Sequence, residues 1–190
     1  MKKIFIISLF LLPFISFAQS DDHDYTRRNE LKANAFNLIV LKAVDFSYEY
    51  LIDAKSSVGI SFFFNLKDDK ISDFEETFDL YYHEKQAFTP FYRRYISSKH
   101  AWGFFLEAFG MYNKQRNSIE ERTEMEPMNI KVMGTSNNFA LGITAGGKIV
   151  VNNGLAFEFY GGVGRNIYTS NSDFSTEIVP RLGASIGYRF

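Results

Sequence analysis

Histidine is the side chain best matched to proton transfer near neutral pH, and this sequence has three: His23, His83 and His100. It has no cysteine, which excludes thiolate catalysis, thiolate metal sites, structural disulfides and a lipid-modified cysteine. A hydrolytic centre built on histidine also needs a nucleophile and an orienting acid within reach. His23 stands in the polar stretch "SDDHDYTRRNE" and His100 in the short turn-like segment "SSKHA". Only His83 borders a long polar segment, and no serine lies beside it. Ser61 and Ser72 would have to approach through the fold. With no visible nucleophile–base–orienter set, no catalytic residue is assigned and the chain is read as a non-enzyme.

Two other stretches superficially suggest ligands. "GGVGRN" at residues 161–166 has glycines near a charge, but it lacks the glycine spacing and the following helix pattern of a phosphate-binding loop. Residues 67–85, "KDDKISDFEETFDLYYHEK", hold seven acidic and three basic residues, and their spacing does not match a calcium loop. They read as a solvated loop. No metal or cofactor is expected. The formal net charge of −1 gives no electrostatic case for nucleic acid.

The remaining chemistry is a set of single charges: Glu49, Arg93, Glu107, Lys148, Glu158, Arg181 and Arg189. Each stands within, or for Arg181 directly before, a segment that alternates apolar and small or polar residues. "VDFSYEYLI", "VGISFFFNL", "FTPFYRRYI", "WGFFLEAFG", "FALGITAGGKI", "LAFEFYGGVG" and "LGASIGYRF" all repeat at period two, the signature of strands with two unlike faces. "LKANAFNLIV" alternates less cleanly, with a phase change near Ala35 and Phe36 that a bulge explains. The count is about eight strands of spanning length. Short connections, "LKA", "DAKSS", "SSKHA" and "VNNG", contrast with long polar ones at residues 67–85 and 114–137 and an intermediate one at 165–178.

One face of these strands is apolar and aromatic. The other mixes Gly, Ser and Thr with about one charge per strand. A soluble carrier of a hydrophobic ligand turns the apolar face inward, whereas a membrane barrel turns it to lipid. Single charges of both signs, interleaved with glycine, favour the second reading: inward charges must pair, and glycines leave room for long side chains. The expected cross-strand pairs are Arg93 with Glu107 and Lys148 with Glu158. An eight-stranded interior is filled by side chains, so a wide diffusion channel is not expected.

At the N-terminus, Lys2 and Lys3 precede the 14-residue apolar run 4–17 and the small-residue pattern Ser16-Phe17-Ala18. This reads as a secretory signal peptide over 1–18, since the run is short for a membrane anchor. A polar lead over 19–29 follows, then the barrel over 30–190. No later segment approaches 18 consecutive apolar residues, which excludes helical spans.

A signal peptide with a last strand "LGASIGYRF" ending in Phe resembles the small bacterial outer-membrane β-barrels typified by outer-membrane protein X and the membrane domain of outer-membrane protein A. Within them, "NELKAN", "FSYEYLIDAKSSVGIS", "FTPFYRRY", "GFFLEAFG", "FALGITAGGK" and "FEFYGGVGRN" resemble a secreted family known as a domain of unknown function. The resemblance covers about 29–190. It implies an all-β, eight-stranded antiparallel up-and-down transmembrane barrel in the outer membrane of a Gram-negative-type envelope. It also implies insertion by the barrel assembly machinery, with Tyr188 and Phe190 in the assembly signal. It carries no catalytic residue. The expected role is structural or surface-interactive, in envelope integrity or adhesion, for a monomer among outer-membrane lipid and lipopolysaccharide. The alternatives are a soluble periplasmic lipocalin-like carrier and, third, a lipid-modifying outer-membrane enzyme.

Overall fold

The computed structural model describes residues 27–66, 83–97, 99–122, 129–151 and 153–190. The expected signal peptide, His23, Ser72 and the rest of 67–82 lie outside the described residues. Eight strands close into one antiparallel barrel in sequence order. They are β1 (Asn29–Asn34), β2 (Ala43–Leu51), β3 (Ser56–Asn65), β4 (Glu84–Tyr95), β5 (Gly103–Arg122), β6 (Asn129–Val150), β7 (Leu155–Thr169) and β8 (Ile178–Arg189). β8 pairs with β1 from Glu30↔Arg189 to Asn34↔Ser185. Below that ladder, the Asn29 N–H donates to the Phe190 carbonyl at 3.0 Å and the Phe190 N–H donates to the Asn29 carbonyl at 2.8 Å. Closure leaves no open strand edge over this stretch.

The alternation decides which side chains face where. Phe46, Tyr48, Phe64, Tyr92, Leu106, Leu141, Ile143, Val163 and Ile186 point outward and are exposed. Their neighbours one residue along point inward, where polar, charged and aromatic side chains are buried together. Two inward rings lie on glycines of the next strand. A Cβ on Gly59 would stand 2.3 Å from Phe91 Cζ and 2.5 Å from the Tyr48 carbonyl oxygen, and one on Gly183 would stand 2.2 Å from Tyr160 Cζ. Phe91 and Gly59 are register partners, as are Tyr160 and Gly183. The inward glycines are thus the space into which the large inward side chains fold.

The first segment departs from the expectation of one bulged strand. β1 stops at Asn34 and a six-residue helix, α1 (Ala35–Val40), follows. The apparent phase change near Ala35 is the switch from period 2 to a helical turn. Phe36 and Val40, four residues apart, pack on the core, while Leu38 and Ile39 are exposed. Asn34 makes the junction. Its Oδ1 caps the helix by accepting from the Asn37 N–H at 3.2 Å and also accepts from the Ala184 N–H of β8 at 3.2 Å. Its Nδ2 donates to the Leu182 carbonyl at 3.3 Å. One side chain therefore stands in for the next β1–β8 backbone pair. Residues of β8 alternate in direction, so 184, 182 and 180 all face α1. Residue 180 is proline, which has no N–H to leave unpaired on this uncovered stretch.

The two rims differ. Turns at 52–55, 96–102 and 151–154 lie at one rim with both ends of the described chain. Gly154 has φ +92° there, and the Lys55 N–H donates to Asp53 Oδ1 at 2.6 Å. That backbone bond holds the exposed Asp53 carboxyl below the ordinary aspartate range. At the other rim lie α1, the ends of β3, β4, β5 and β6, and the β7–β8 connection. The expected loop over 114–137 is instead mostly strand. β5 and β6 stay paired up to Arg122↔Asn129, beyond the last β4 partner, Gln115, and the last β7 partner, Asn138. The intermediate connection is likewise shortened, since β7 runs to Thr169 and a 3₁₀ turn occupies Ser172–Phe174.

Candidate functional site

The strands carry their charges to one level of the interior. Glu30 and Lys32 come from β1, Glu49 from β2, Arg93 from β4, Glu107 from β5, Lys148 from β6, Glu158 from β7, and Arg181 and Arg189 from β8. All are buried. Arg93 sits at the centre. Its Nε and Nη2 donate to Glu107 Oε2 at 3.0 and 2.6 Å, its Nη1 to Glu158 Oε2 at 2.6 Å and to Glu49 Oε2 at 3.1 Å. Lys148 Nζ donates to Glu30 at 2.7 Å and Glu49 at 2.8 Å. Lys32 Nζ bonds Glu49, and Glu158 at 3.0 Å. Arg181 bonds Glu107. Tyr95 Oη and Ser57 Oγ donate to the remaining Glu49 oxygen at 2.6 and 2.5 Å.

The network is close to electroneutral. Four glutamates face five cations, and Asp45 lies in electrostatic contact with Arg181 and Lys32. Burying charges costs several kcal/mol per ion unless each is matched and hydrogen-bonded. Here each of the four glutamates is shared by at least two cations. Aromatic rings supply the rest of the surroundings. The Arg93 guanidinium lies 3.8 Å from the Phe105 ring and 5.1 Å from that of Phe91, and Arg181 lies 5.0 Å from Phe109 and 5.4 Å from Tyr160. Such a cluster fixes strand register, because a shift of one residue would move each charge to the outer face.

Apolar and amide layers close the interior on either side. Toward the turn rim Leu51, Tyr95, Ala101 and Phe105 pack together, and Arg189 Nη1 and Nη2 donate to the His100 and Ala101 carbonyls at 3.1 and 2.8 Å. Toward the loop rim Phe63, Phe91, Phe109 and Met111 form a second cluster with Leu41. Above it Asn138 donates to Asn113 at 3.1 Å, Asn113 to Asn166 at 3.1 Å, and Gln115 to Thr176 at 3.0 Å. A cavity of about 30 Å³ lies between these layers, bounded by Asn37, Asp45, Ser61, Glu84, Thr89 and Arg181. That is room for roughly one or two waters. Phe63, Ala87, Met111, Pro180 and Leu182 also line it, and at that size it has no room for an apolar ligand.

The candidates named from sequence fall as follows. Glu49, Arg93, Glu107, Lys148, Glu158, Arg181 and Arg189 converge in the one network, with Arg93↔Glu107 and Lys148↔Glu158 as register partners. The contacts are many-to-many rather than the separate pairs expected. Glu30 and Lys32 belong to the network and were missed. "NELKAN" places them, with Asn34, on one face, but running the strand on through Ala35–Val40 hid that phase. Tyr188 and Phe190 face outward, about half exposed. Ser61 is buried on the small cavity, and His83, just before β4, is not among the residues bounding it. Among the described residues, no group of three His, Asp or Glu side chains is placed to hold a metal ion. No family model, curated protein or solved structure matches the chain.

Proposed function

We propose that this chain is a membrane-embedded barrel of the bacterial outer membrane. In this reading it is a non-enzymatic monomer with a structural or surface-interaction role, delivered by a cleaved signal peptide and inserted by the barrel assembly machinery. The observation that carries the reading is the inversion of the faces. Apolar and aromatic side chains cover the outside of a closed barrel, while an ion-pair network fills the inside. In water the outward belt would be an exposed apolar surface far larger than monomeric soluble proteins tolerate. In hydrocarbon it is what an outer-membrane barrel presents. The interior, filled by side chains among the described residues, supports a scaffold rather than a channel. Surface interaction then falls to the loop rim, where the β5–β6 hairpin rises past its neighbours. A soluble carrier of a hydrophobic ligand is disfavoured, because the interior offers charges where that ligand needs apolar walls. Envelope fractionation followed by gel electrophoresis with and without boiling tests the reading. A compact, heat-modifiable band in the outer-membrane fraction is expected, and recovery in the soluble periplasm would overturn it.

A further inference from the structure

The outer wall is not uniformly bulky. The register climbs around the barrel: Arg94 on β4 pairs with Leu106, Leu106 with Ala145, Ala145 with Gly161, and Gly161 with Leu182 on β8. Arg94 stands one residue from the turn-side end of β4, and Leu182 stands seven from that of β8. Along this line two adjoining grooves of about 470 and 510 Å³ share Ala145 and Gly161. Ala145 and Gly161 on this line and Ala108 beside it form the floor, Leu106 stands on the line next to Arg94 with Ile143 beside the floor, and Phe36 of α1 closes the far end. Four interstrand steps of about 4.8 Å make a trough roughly 19 Å long.

We propose that this trough seats one acyl chain of an anionic phospholipid whose phosphate is held by Arg94 at the turn-side rim. The inference rests on the membrane reading above. Arg94 is an exposed cation between outward Tyr92 and Ile96, at the one end of the trough that reaches the rim. Its Nη1 donates to Ser56 Oγ at 2.6 Å, which fixes the guanidinium while its other N–H groups keep the fork geometry that suits phosphate. Asp53, which is in electrostatic contact with Arg94, is engaged by the Lys55 N–H. Lys55 and Lys99 in the two adjacent turns leave this part of the rim net positive. Lys99 lies 5.3 Å over the Trp102 ring, an aromatic suited to the headgroup level. The charge at the rim and the apolar trough running inward from it match the two halves of one lipid.

The test uses the full chain folded into phosphatidylcholine vesicles containing a trace of spin-labelled phosphatidylglycerol or phosphatidylcholine. Folding is checked in every sample by heat-modifiable mobility. The wild-type protein should immobilise the anionic label about fivefold more readily than the zwitterionic one, the effect of one cation near the surface. Arg94→Gln should bring the two labels level. Gly161→Leu should reduce the immobilised fraction of both. That substitution is sterically open, since a Cβ there meets only Leu182 Cδ2, at 3.4 Å. An inserted wild-type barrel with no headgroup preference, or one whose preference survives Arg94→Gln, overturns the proposal and leaves the membrane reading standing. A chain that does not insert overturns both. A wild-type dimer in detergent that Gly161→Leu dissociates would make the occupant a second copy instead of a lipid.

Discussion

Arg93 and Glu107 face each other across β4 and β5, and two guanidinium nitrogens of Arg93 converge on one carboxylate oxygen of Glu107 at 3.0 and 2.6 Å. Glu107 also takes Arg181, and Arg93 also takes Glu49 and Glu158. Glu107→Gln leaves two buried guanidinium groups short of charge, and should destabilise the folded barrel by about 3–5 kcal/mol. A double-mutant cycle with Arg93→Met, read by urea unfolding in vesicles, should give a coupling of about 1–3 kcal/mol. Additive losses would mean that the two side chains do not act as a pair.

Glycine and aromatic positions are matched in the same way. Gly59→Ala puts a methyl group against both the Phe91 ring and the Tyr48 carbonyl. It should cost about 1–3 kcal/mol by overpacking. The loss should shrink when Phe91 is also replaced by Leu. Equal losses in the two backgrounds, measured by denaturant midpoint, would assign the cost to the backbone carbonyl alone.

Asn34 ties the end of β1, the start of α1 and the uncovered stretch of β8 together. Asn34→Ala should lose the helix cap, about 1 kcal/mol. It should also speed hydrogen exchange at the Ala184 amide more than at Ile186, whose N–H points the same way and whose register partner on β1 is Ala33. Unchanged protection at Ala184, followed by mass spectrometry or NMR, would show that the seam does not depend on this side chain.

A filled interior should not conduct. Purified protein in planar bilayers is expected to give no steady ion current above the lipid baseline, because the charged layer is bounded by packed apolar clusters on both sides. Reproducible unitary conductance steps from the folded protein would require an open path that these layers deny.

The strands that carry the network were legible because each has unlike surroundings on its two faces, which imposes period two. The same cause explains what was not legible. Beyond Gln115 and before Asn138 the β5–β6 hairpin has left its strand neighbours β4 and β7, so "NSIEER" and "NIKVMGTS" sustain no alternation and read as loop. Ala35–Val40 is a run of mostly apolar residues that strand propensity claims equally well. Only the Asn34 cap and the four-residue spacing of Phe36 and Val40 mark it as helix. The many-to-many ion pairing could not be read from sequence, because it depends on β1, β4, β6 and β8 meeting across the lumen rather than along a ladder.

On the membrane reading, the apolar face meets lipid and the charged face packs inside. Because the chain has no cysteine, single substitutions report their own positions. Leu141→Cys, Ile143→Cys and Thr144→Cys, each carrying a nitroxide in the vesicle-embedded protein and each checked for heat-modifiable mobility, sample both faces of β6. High accessibility to oxygen dissolved in the lipid is expected at 141 and 143, and low accessibility to both oxygen and a water-soluble nickel reagent at 144. Free access of the nickel reagent to 141 and 143 would place that face in water and overturn the membrane reading.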